Sequence, residues 1–256
     1  MMRALILLLA LTLPALALPA RAEEVVAGLS QDNIGITASF NGSEILIYGA
    51  IKRFEPEPDS NRMGIIVTLE GPAGAVTIRR KSREMGIWVN TDSVGVAAAP
   101  SYYAVASSAP LSEILDPNVD VSQRISIPLA MRSFAGPIEV SDARPFTEAL
   151  LRIREKEGLY HLDESAVTIL ENTLFRADFD LPANLIEGDY KTRIFLLRDG
   201  QLVDQYRTAI YVRKVGLERW LYTLSRDHAA VYGALSLAIA VFAGWAAAAV
   251  FRLIRN

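Results

Sequence analysis

Few residues in this chain have the types and spacing that catalysis or metal binding requires. The two histidines, His161 and His228, lie far apart and have no ligand partner at a metal-site spacing. Cysteine is absent, which excludes disulfides, thiolate metal sites and a cysteine nucleophile. The sequence also lacks the nucleophile-elbow, phosphate-loop, dinucleotide-binding and zinc-protease motifs. We therefore predict that the protein is not an enzyme and has no catalytic, cofactor or metal site.

The densest group of charged side chains is the basic run Arg79–Arg83. On a strand these residues alternate between two faces, so the run predicts an edge strand protected by its charges, with an anion-binding patch as the alternative. Residues 23–228 contain 22 basic and 29 acidic residues, a net charge of −7. This acidic balance argues against a nucleic-acid partner and against a broad surface for anionic lipids.

The second group of interest consists of small side chains in an uncharged C-terminal segment, Ala229–Phe251. As a helix this segment would be about 35 Å long, enough to cross a bilayer. Within it, small residues recur at every fourth position, a spacing typical of close helix–helix contact: Ser236, Ala240, Gly244 and Ala248. The segment is so rich in Ala, Gly and Ser that chance is the competing explanation of this row.

The residues before the span predict a second membrane contact. Leu217–Arg226 has an apolar face opposite a polar one, which indicates an interfacial helix with Trp220 at the depth of the lipid headgroups. At the other end, Met1–Ala22 has the basic, apolar and A-x-A parts of a cleavable signal peptide, with an uncleaved span as the weaker alternative. Together these segments predict a single-pass type I protein of a bacterial inner membrane, with a periplasmic domain and a cytoplasmic C-terminus.

The residues between these segments read mainly as β-structure. Asn41-Gly42 between two alternating runs predicts a hairpin over 34–51, and 119–131 predicts another pair of strands. Arg144–Glu157 has the periodicity of a helix, with Asp142 as its N-cap and Gly158 ending it in the left-handed conformation.

The clearest alternation runs through Phe175–Leu181. The later spacing Leu185-x-x-Gly188-x-Tyr190 resembles the tyrosine corner of immunoglobulin-like sandwiches, which predicts a buried Tyr190 bonded to backbone within residues 185–187. We predict a mainly β fold: an immunoglobulin-like β-sandwich ectodomain, as one large or two small sandwiches, with one C-terminal transmembrane helix. The predicted boundaries are a signal peptide (1–22), an N-terminal β region (23–140), a helix (141–158), a C-terminal immunoglobulin-like β region (159–215), an interfacial helix (216–228), a transmembrane helix (229–251) and a cytoplasmic tail (252–256).

These features together resemble the alphaproteobacterial transmembrane protein family Alph_Pro_TM. The similarity is carried by Ile34-Gly-Ile-Thr-Ala-Ser-Phe40-Asn-Gly, by Ile47-Tyr-Gly-Ala-Ile51, by Leu174–Leu197 and by the Tyr232-Gly, Gly244-Trp245 and Phe251-Arg252 pairs. The resemblance supplies no catalytic residues. It implies a gene neighbourhood that often includes a sulfite or sulfonate exporter.

Two functions follow from these features. The first is a non-enzymatic, membrane-anchored periplasmic accessory protein that works beside a membrane-protein partner, with an exporter as the candidate that the resemblance implies. The alternative is an envelope module that binds a ligand or a protein through the Arg79–Arg83 region or the Tyr102-Tyr103 segment, without a transporter partner. The oligomeric state is left open by the sequence.

Overall fold

The computed structural model describes residues 23–37, 40–54, 62–135 and 143–254. The predicted signal peptide and the end of the predicted cytoplasmic tail lie outside these residues. The described chain is mainly β, with one long apolar helix at its C-terminal end, as predicted from the sequence.

Among the described residues, ten strands form two sheets that share one core. The four-stranded sheet has the order β1, β3, β11, β10, with bounds Glu23–Leu29, Ser43–Arg53, Leu174–Leu181 and Thr168–Leu170. The six-stranded sheet has the order β2, β13, β12, β4, β7, β9, with bounds Asn33–Ile36, Gln201–Lys214, Gly188–Arg198, Met63–Glu70, Tyr103–Ser107 and Tyr160–Asp163. Strands from both predicted β regions, 23–140 and 159–215, therefore contribute to each sheet.

The strand order is compatible with an immunoglobulin-like sandwich. A constant-type immunoglobulin domain has strands A, B, E and D in one sheet and C, F and G in the other. Here β1, β3, β11 and β10 correspond to the first set, and β4, β12 and β13 to the second, all with antiparallel pairing. Tyr190 lies near the start of β12, is buried, and donates a hydrogen bond from its hydroxyl to the Ile186 carbonyl at 2.9 Å. The predicted burial of Tyr190 and its bond to backbone within residues 185–187 are confirmed, which is compatible with a tyrosine corner.

The core lies between the two sheets and explains the alternation seen in the sequence. Along β11 every second residue is buried, starting at Phe175 and ending at Leu181. On β12 consecutive residues from Ile194 to Leu197 are all fully buried, so both faces of this strand are covered. One buried cluster contains residues from both of these sheets, so the two sheets pack as the layers of one sandwich.

The outer face of the six-stranded sheet is covered by three short helices: α1 (Leu111–Ile114), α2 (Pro117–Gln123) and α3 (Ile127–Ala130). The predicted strand pair over 119–131 is therefore wrong. Asp116 accepts a hydrogen bond from the Asn118 amide at 2.8 Å and Pro117 takes the first helical position, so this pair starts a helix. Arg193 fixes the segment to the sheet by donating to the Gln123 carbonyl at 2.7 Å.

The predicted hairpin over 34–51 is also absent. β2 pairs in parallel with β13, whereas β3 pairs with β1 and β11 in the other sheet. A type I′ turn needs positive φ at both central residues, and here Gly42 has it (+113°) but Asn41 does not. A Cβ added to Gly42 would lie 2.6 Å from the Leu181 carbonyl oxygen, so the glycine permits a close approach to the end of β11.

A third sheet projects from the sandwich as the long hairpin β5 (Ala73–Glu84) and β6 (Ile87–Pro100), with β8 (Arg132–Ala135) beside β6. β5 is an edge strand, as its basic run predicted. Helix α4 (Arg144–Lys156) packs on this sheet through Phe146 and Leu150. Gly158 ends the helix at φ +68° with Leu159 donating to the Arg154 carbonyl, which confirms the predicted left-handed end. Ala143 occupies the N-cap position, and Asp142, the predicted cap, lies outside the described residues.

Candidate functional site

The chain leaves the sandwich at the end of β13 and forms two consecutive helices. The Val215 amide donates to the Ile36 carbonyl at 3.0 Å, which closes the sandwich, and Gly216 follows with φ +89°. A Cβ added to Gly216 would have no neighbouring atom within 4 Å, so its role is conformational. This glycine lets the chain turn into the membrane-proximal segment.

The first helix, α5 (Leu217–Asp227), is the segment predicted to lie at the membrane interface. Trp220 is 53% exposed and Tyr222 is 55% exposed. The guanidinium of Arg226 lies 5.6 Å from the centre of the Tyr222 ring, and the Lys214 amine lies 5.9 Å from it. Tyr222 was not selected from the sequence. It adds a second exposed aromatic ring to the helix, with cations beside it, a combination typical of lipid headgroup regions.

The second helix, α6 (Ala229–Ile254), contains the membrane span. His228 separates it from α5 with non-helical dihedrals, and its carbonyl accepts hydrogen bonds from Val231 and Tyr232 at the start of α6. The 22 residues Ala229–Val250 have a mean hydropathy of 2.0, and none of the most apolar window is buried within the protein. At this length the span covers about 33 Å, a bilayer thickness.

All four small residues predicted to contact a partner lie on exposed positions of α6: Ser236, Ala240, Gly244 and Ala248. The Ser236 hydroxyl donates to the Tyr232 carbonyl at 2.9 Å, so this polar group is satisfied within its own helix. A Cβ added to Gly244 would meet no atom within 4 Å. The larger Phe242 and Trp245 rings lie beside each other, with centroids 6.0 Å apart. The row is therefore an open ridge on the helix.

The two histidines lie in different parts of the molecule, and His161 lines a cleft together with Asp163 and Glu164. The His161 Nε2 lies 2.7 Å from the Gly158 carbonyl oxygen at the end of α4, and its ring lies 6.0 Å from that of Tyr102. His228 forms the joint between α5 and α6. The parts of the chain that the structure describes contain no group of three or more His, Cys, Asp or Glu residues able to hold a metal.

The Tyr102-Tyr103 segment belongs to the core rather than to a surface. Both rings are buried, and each hydroxyl donates to a backbone carbonyl: Tyr102 to Asp180 at 3.2 Å and Tyr103 to Ile125 at 2.8 Å. Burial raises the pKa of Tyr103 to about 12, so its hydroxyl stays protonated as a donor. This segment therefore offers no free polar group for a ligand.

An acidic cleft of about 550 Å³ opens where the edges of the two main sheets meet. It was missed from the sequence because its carboxylates come from separate strands: Asp163, Glu164, Asp178 and Asp180. The Glu164 carboxylate accepts from the Leu111 amide at 2.9 Å, and Asp178 pairs with Arg176 at 3.0 Å. Two of the four carboxylates therefore have partners within the fold, and His161 lines the same cleft.

A groove of about 380 Å³ lies between β5 and α4, lined by Arg79, Lys81 and Arg152 with apolar side chains between them. Arg80 pairs with Asp92 at 2.5 Å and lies over the Phe146 ring. Within the predicted basic run, the Arg80 guanidinium holds the hairpin against α4. Arg79 and Lys81 line the groove beside it.

The comparisons with known proteins agree with the membrane-anchored architecture. Neither curated proteins nor solved structures gave a match. A family model described as "Putative transmembrane protein (Alph_Pro_TM)" matches residues 24–253, which is nearly the whole described chain and includes the apolar helix. The chain belongs to this transmembrane protein family.

Proposed function

We propose that the protein is a non-enzymatic accessory protein whose sandwich stands in the periplasm and whose span docks beside the helices of a membrane-protein partner. The observation that carries this proposal is the open ridge on α6, Ser236 to Ala248. Its four residues are exposed on the helix, and their small side chains would let a partner's helix backbone approach closely.

The rest of the described molecule supports a display role. The hydroxyls of Tyr102, Tyr103 and Tyr190 donate to backbone carbonyls, and two carboxylates of the acidic cleft have partners within the fold. In this role the sandwich presents a folded surface to the membrane-protein partner. The family resemblance names an exporter of sulfite or sulfonate as the first partner to test, and the proposal requires no cofactor or metal.

The experiment compares two single leucine substitutions in α6. Gly244→Leu places a bulky side chain on the ridge, whereas Ala246→Leu places the same side chain about 200° around the helix at nearly the same depth. Both substitutions increase hydrophobicity and so preserve membrane insertion. Affinity-tagged full-length variants are crosslinked in native membranes, and the amount of co-purifying membrane protein is measured relative to the amount of each variant in the membrane.

Selective loss of the co-purifying protein for Gly244→Leu is the expected result. Equal recovery from both variants would show that α6 is a plain anchor and would overturn the proposal. A measured change is interpreted only when both variants reach the membrane at the wild-type level.

The second candidate function is an envelope module that binds an anionic ligand. The basic groove favours it, because Arg79, Lys81 and Arg152 line a concave space beside apolar carbons. A rise in melting temperature with such a ligand, in the absence of any partner, would favour this function over the first.

A further inference from the structure

The tip of the β5–β6 hairpin exposes large apolar side chains to solvent. Met85 and Gly86 form a two-residue turn with φ of 49° and 89°, and Glu84 pairs with Ile87 across it. Met85 is 105% exposed, Ile87 65% and Trp88 68%. We call the residues Met85–Trp88 the hairpin tip. Its apolar surface is unusual because soluble domains seldom leave a tryptophan and two other large apolar residues together in water.

The apolar side chains of the tip do not pack against the rest of the described protein. The hairpin is held near its base, where Ile78, Val94 and Val96 are buried against α4. From residue 79 to residue 93 no side chain is buried. The two strands therefore extend well beyond the part that α4 covers.

The hairpin starts at the end of the sandwich from which the chain goes to the membrane. Strand β4 ends at Glu70, which pairs with Lys191 near the start of β12, and the same end of the sheet contains Gly188 paired with Val212 on β13. Pro72, just before the hairpin, lies against Gly188, since a Cβ there would be 2.7 Å from the proline ring. Only a few residues after Val212, the chain enters α5 and then the span.

The hairpin is long enough to reach a bilayer from that end. Met85 lies twelve positions after Ala73, and at the rise of a β-strand this distance along the chain covers about 40 Å. This reach exceeds the length of α5, about 16 Å at the rise of an α-helix. The tip can therefore contact the surface of the membrane that α6 spans.

The charges next to the tip complement an anionic lipid surface. Residues 79–92 contain four basic and two acidic residues, whereas residues 23–228 as a whole carry −7. Asp92 is paired with Arg80, and Glu84 accepts a hydrogen bond from Ser82 at 3.1 Å. Strand alternation places Arg79, Lys81 and Arg83 on one face of β5. Cations in a row beside a tryptophan match lipid phosphates above an apolar layer.

We propose that the hairpin tip inserts into the headgroup region of the bilayer that α6 spans, with Lys81 and Arg83 contacting the phosphates of anionic phospholipids. The protein then touches its membrane at two places, the span and the tip. The sandwich is held at a fixed tilt instead of swinging about Gly216. This inference requires the membrane anchor but neither a protein partner nor a particular side of the membrane.

The absence of cysteine makes the test direct. A single Met85→Cys substitution in the full-length chain carries an environment-sensitive fluorophore, and Gln201→Cys, exposed beside the turn at the opposite end of the sandwich, is the matched control. Each protein is reconstituted into vesicles of phosphatidylcholine alone or of phosphatidylcholine mixed equally with phosphatidylglycerol. We expect the position 85 probe to shift to the blue, to be quenched by nitroxide lipids and to be shielded from iodide. These effects should be stronger in the anionic vesicles, and the position 201 probe should show none of them.

The proposal is overturned if iodide quenches both probes equally in both vesicles. Lys81→Glu combined with Arg83→Glu should abolish the preference for anionic vesicles, and an unchanged preference would also contradict the proposal. Shielding of the position 85 probe in native membranes but not in vesicles would instead assign the tip to a protein partner. Because none of these side chains is buried, an unchanged melting temperature of each variant serves as the folding control.

Discussion

At the scale of single residues, the spacing around Tyr190 correctly predicted its hydrogen-bond partner. Its hydroxyl bonds to the Ile186 carbonyl, within the range that the spacing from Leu185 predicted. Burial raises the pKa of Tyr190 above its usual range, so the hydroxyl remains a hydrogen-bond donor at physiological pH. This bond fixes the turn that leads into β12, the strand most deeply covered in the molecule.

Replacing Tyr190 with phenylalanine should lower the free energy of unfolding by about 1–3 kcal/mol, because the Ile186 carbonyl loses its donor next to the core. Chemical denaturation of the ectodomain measures this change. Tyr48→Phe is the matched control, since Tyr48 is 49% exposed, and it should leave stability nearly unchanged. A loss near zero for Tyr190→Phe would mean that the corner contributes nothing to stability.

Other residue-level features could not have been predicted. Glu23 and Arg198 form a buried ion pair although they are 175 positions apart, with Arg198 donating from Nε at 2.9 Å. The acidic cleft likewise combines carboxylates from β9 and β11. Such groups depend on strand register and on how two sheets stack, and neither is encoded in the spacing along one segment.

At the scale of elements, prediction succeeded where one face of a segment is buried. It failed where the structure depends on which other segments of the chain a segment pairs with. The alternation of β11 and the amphipathic pattern of α4 are each visible in a single segment. The apolar residues of 119–131 predicted strands, whereas the structure begins a helix at Asp116-Pro117. Asn41-Gly42 predicted a hairpin turn, but Gly42 instead allows a close approach of the chain to the Leu181 carbonyl. This contact depends on the pairing of β3 with β11, which the local sequence does not encode.

The two main sheets are joined at one end by an ion triad. Glu23 on β1 receives hydrogen bonds from Arg53 on β3, at 3.0 Å, and from Arg198 on β12. These interactions, with the hydrogen bond from Arg198 as the largest cause, lower the pKa of Glu23 below its usual value. Because the folded-state pKa is depressed, the stabilisation is fully present above the unfolded-state pKa and is lost as the pH falls through the folded-state value.

We predict that Glu23→Ala destabilises the sandwich by about 3–5 kcal/mol at neutral pH, because it removes the buried carboxylate that pairs with the Arg198 guanidinium. The difference from wild type should begin to shrink as the pH falls below about 4.5, where the carboxylate of the unfolded chain takes up a proton, and should shrink further until the folded-state carboxylate is protonated at its lower pKa. Denaturation curves across pH test both statements. Glu24→Ala is the control, because its 3.9 Å pair with Lys52 is exposed and should contribute less than about 1 kcal/mol. A pH-independent difference for Glu23→Ala would contradict the ion-pair explanation.

At the scale of the whole molecule, two signals in the sequence disagree about orientation. Arg252 and Arg255 follow the span, but four basic residues precede it closely: Arg213, Lys214, Arg219 and Arg226. Charge counting alone would put the sandwich in the cytoplasm. We weigh the N-terminal signal segment more heavily, because an export signal commits the following domain to translocation and long translocated domains largely escape the charge rule.

We therefore predict that the sandwich is periplasmic and the C-terminus cytoplasmic, and the cysteine-free chain allows a clean measurement. Gln201→Cys reports on the sandwich and Asn256→Cys on the C-terminus, each as the only thiol of the full-length protein. In spheroplasts, a membrane-impermeant maleimide should label position 201 at once and position 256 only after the membrane is permeabilised. The reverse pattern would show that the basic residues before the span override the signal, and the accessory function would then have to be sought on the cytoplasmic side.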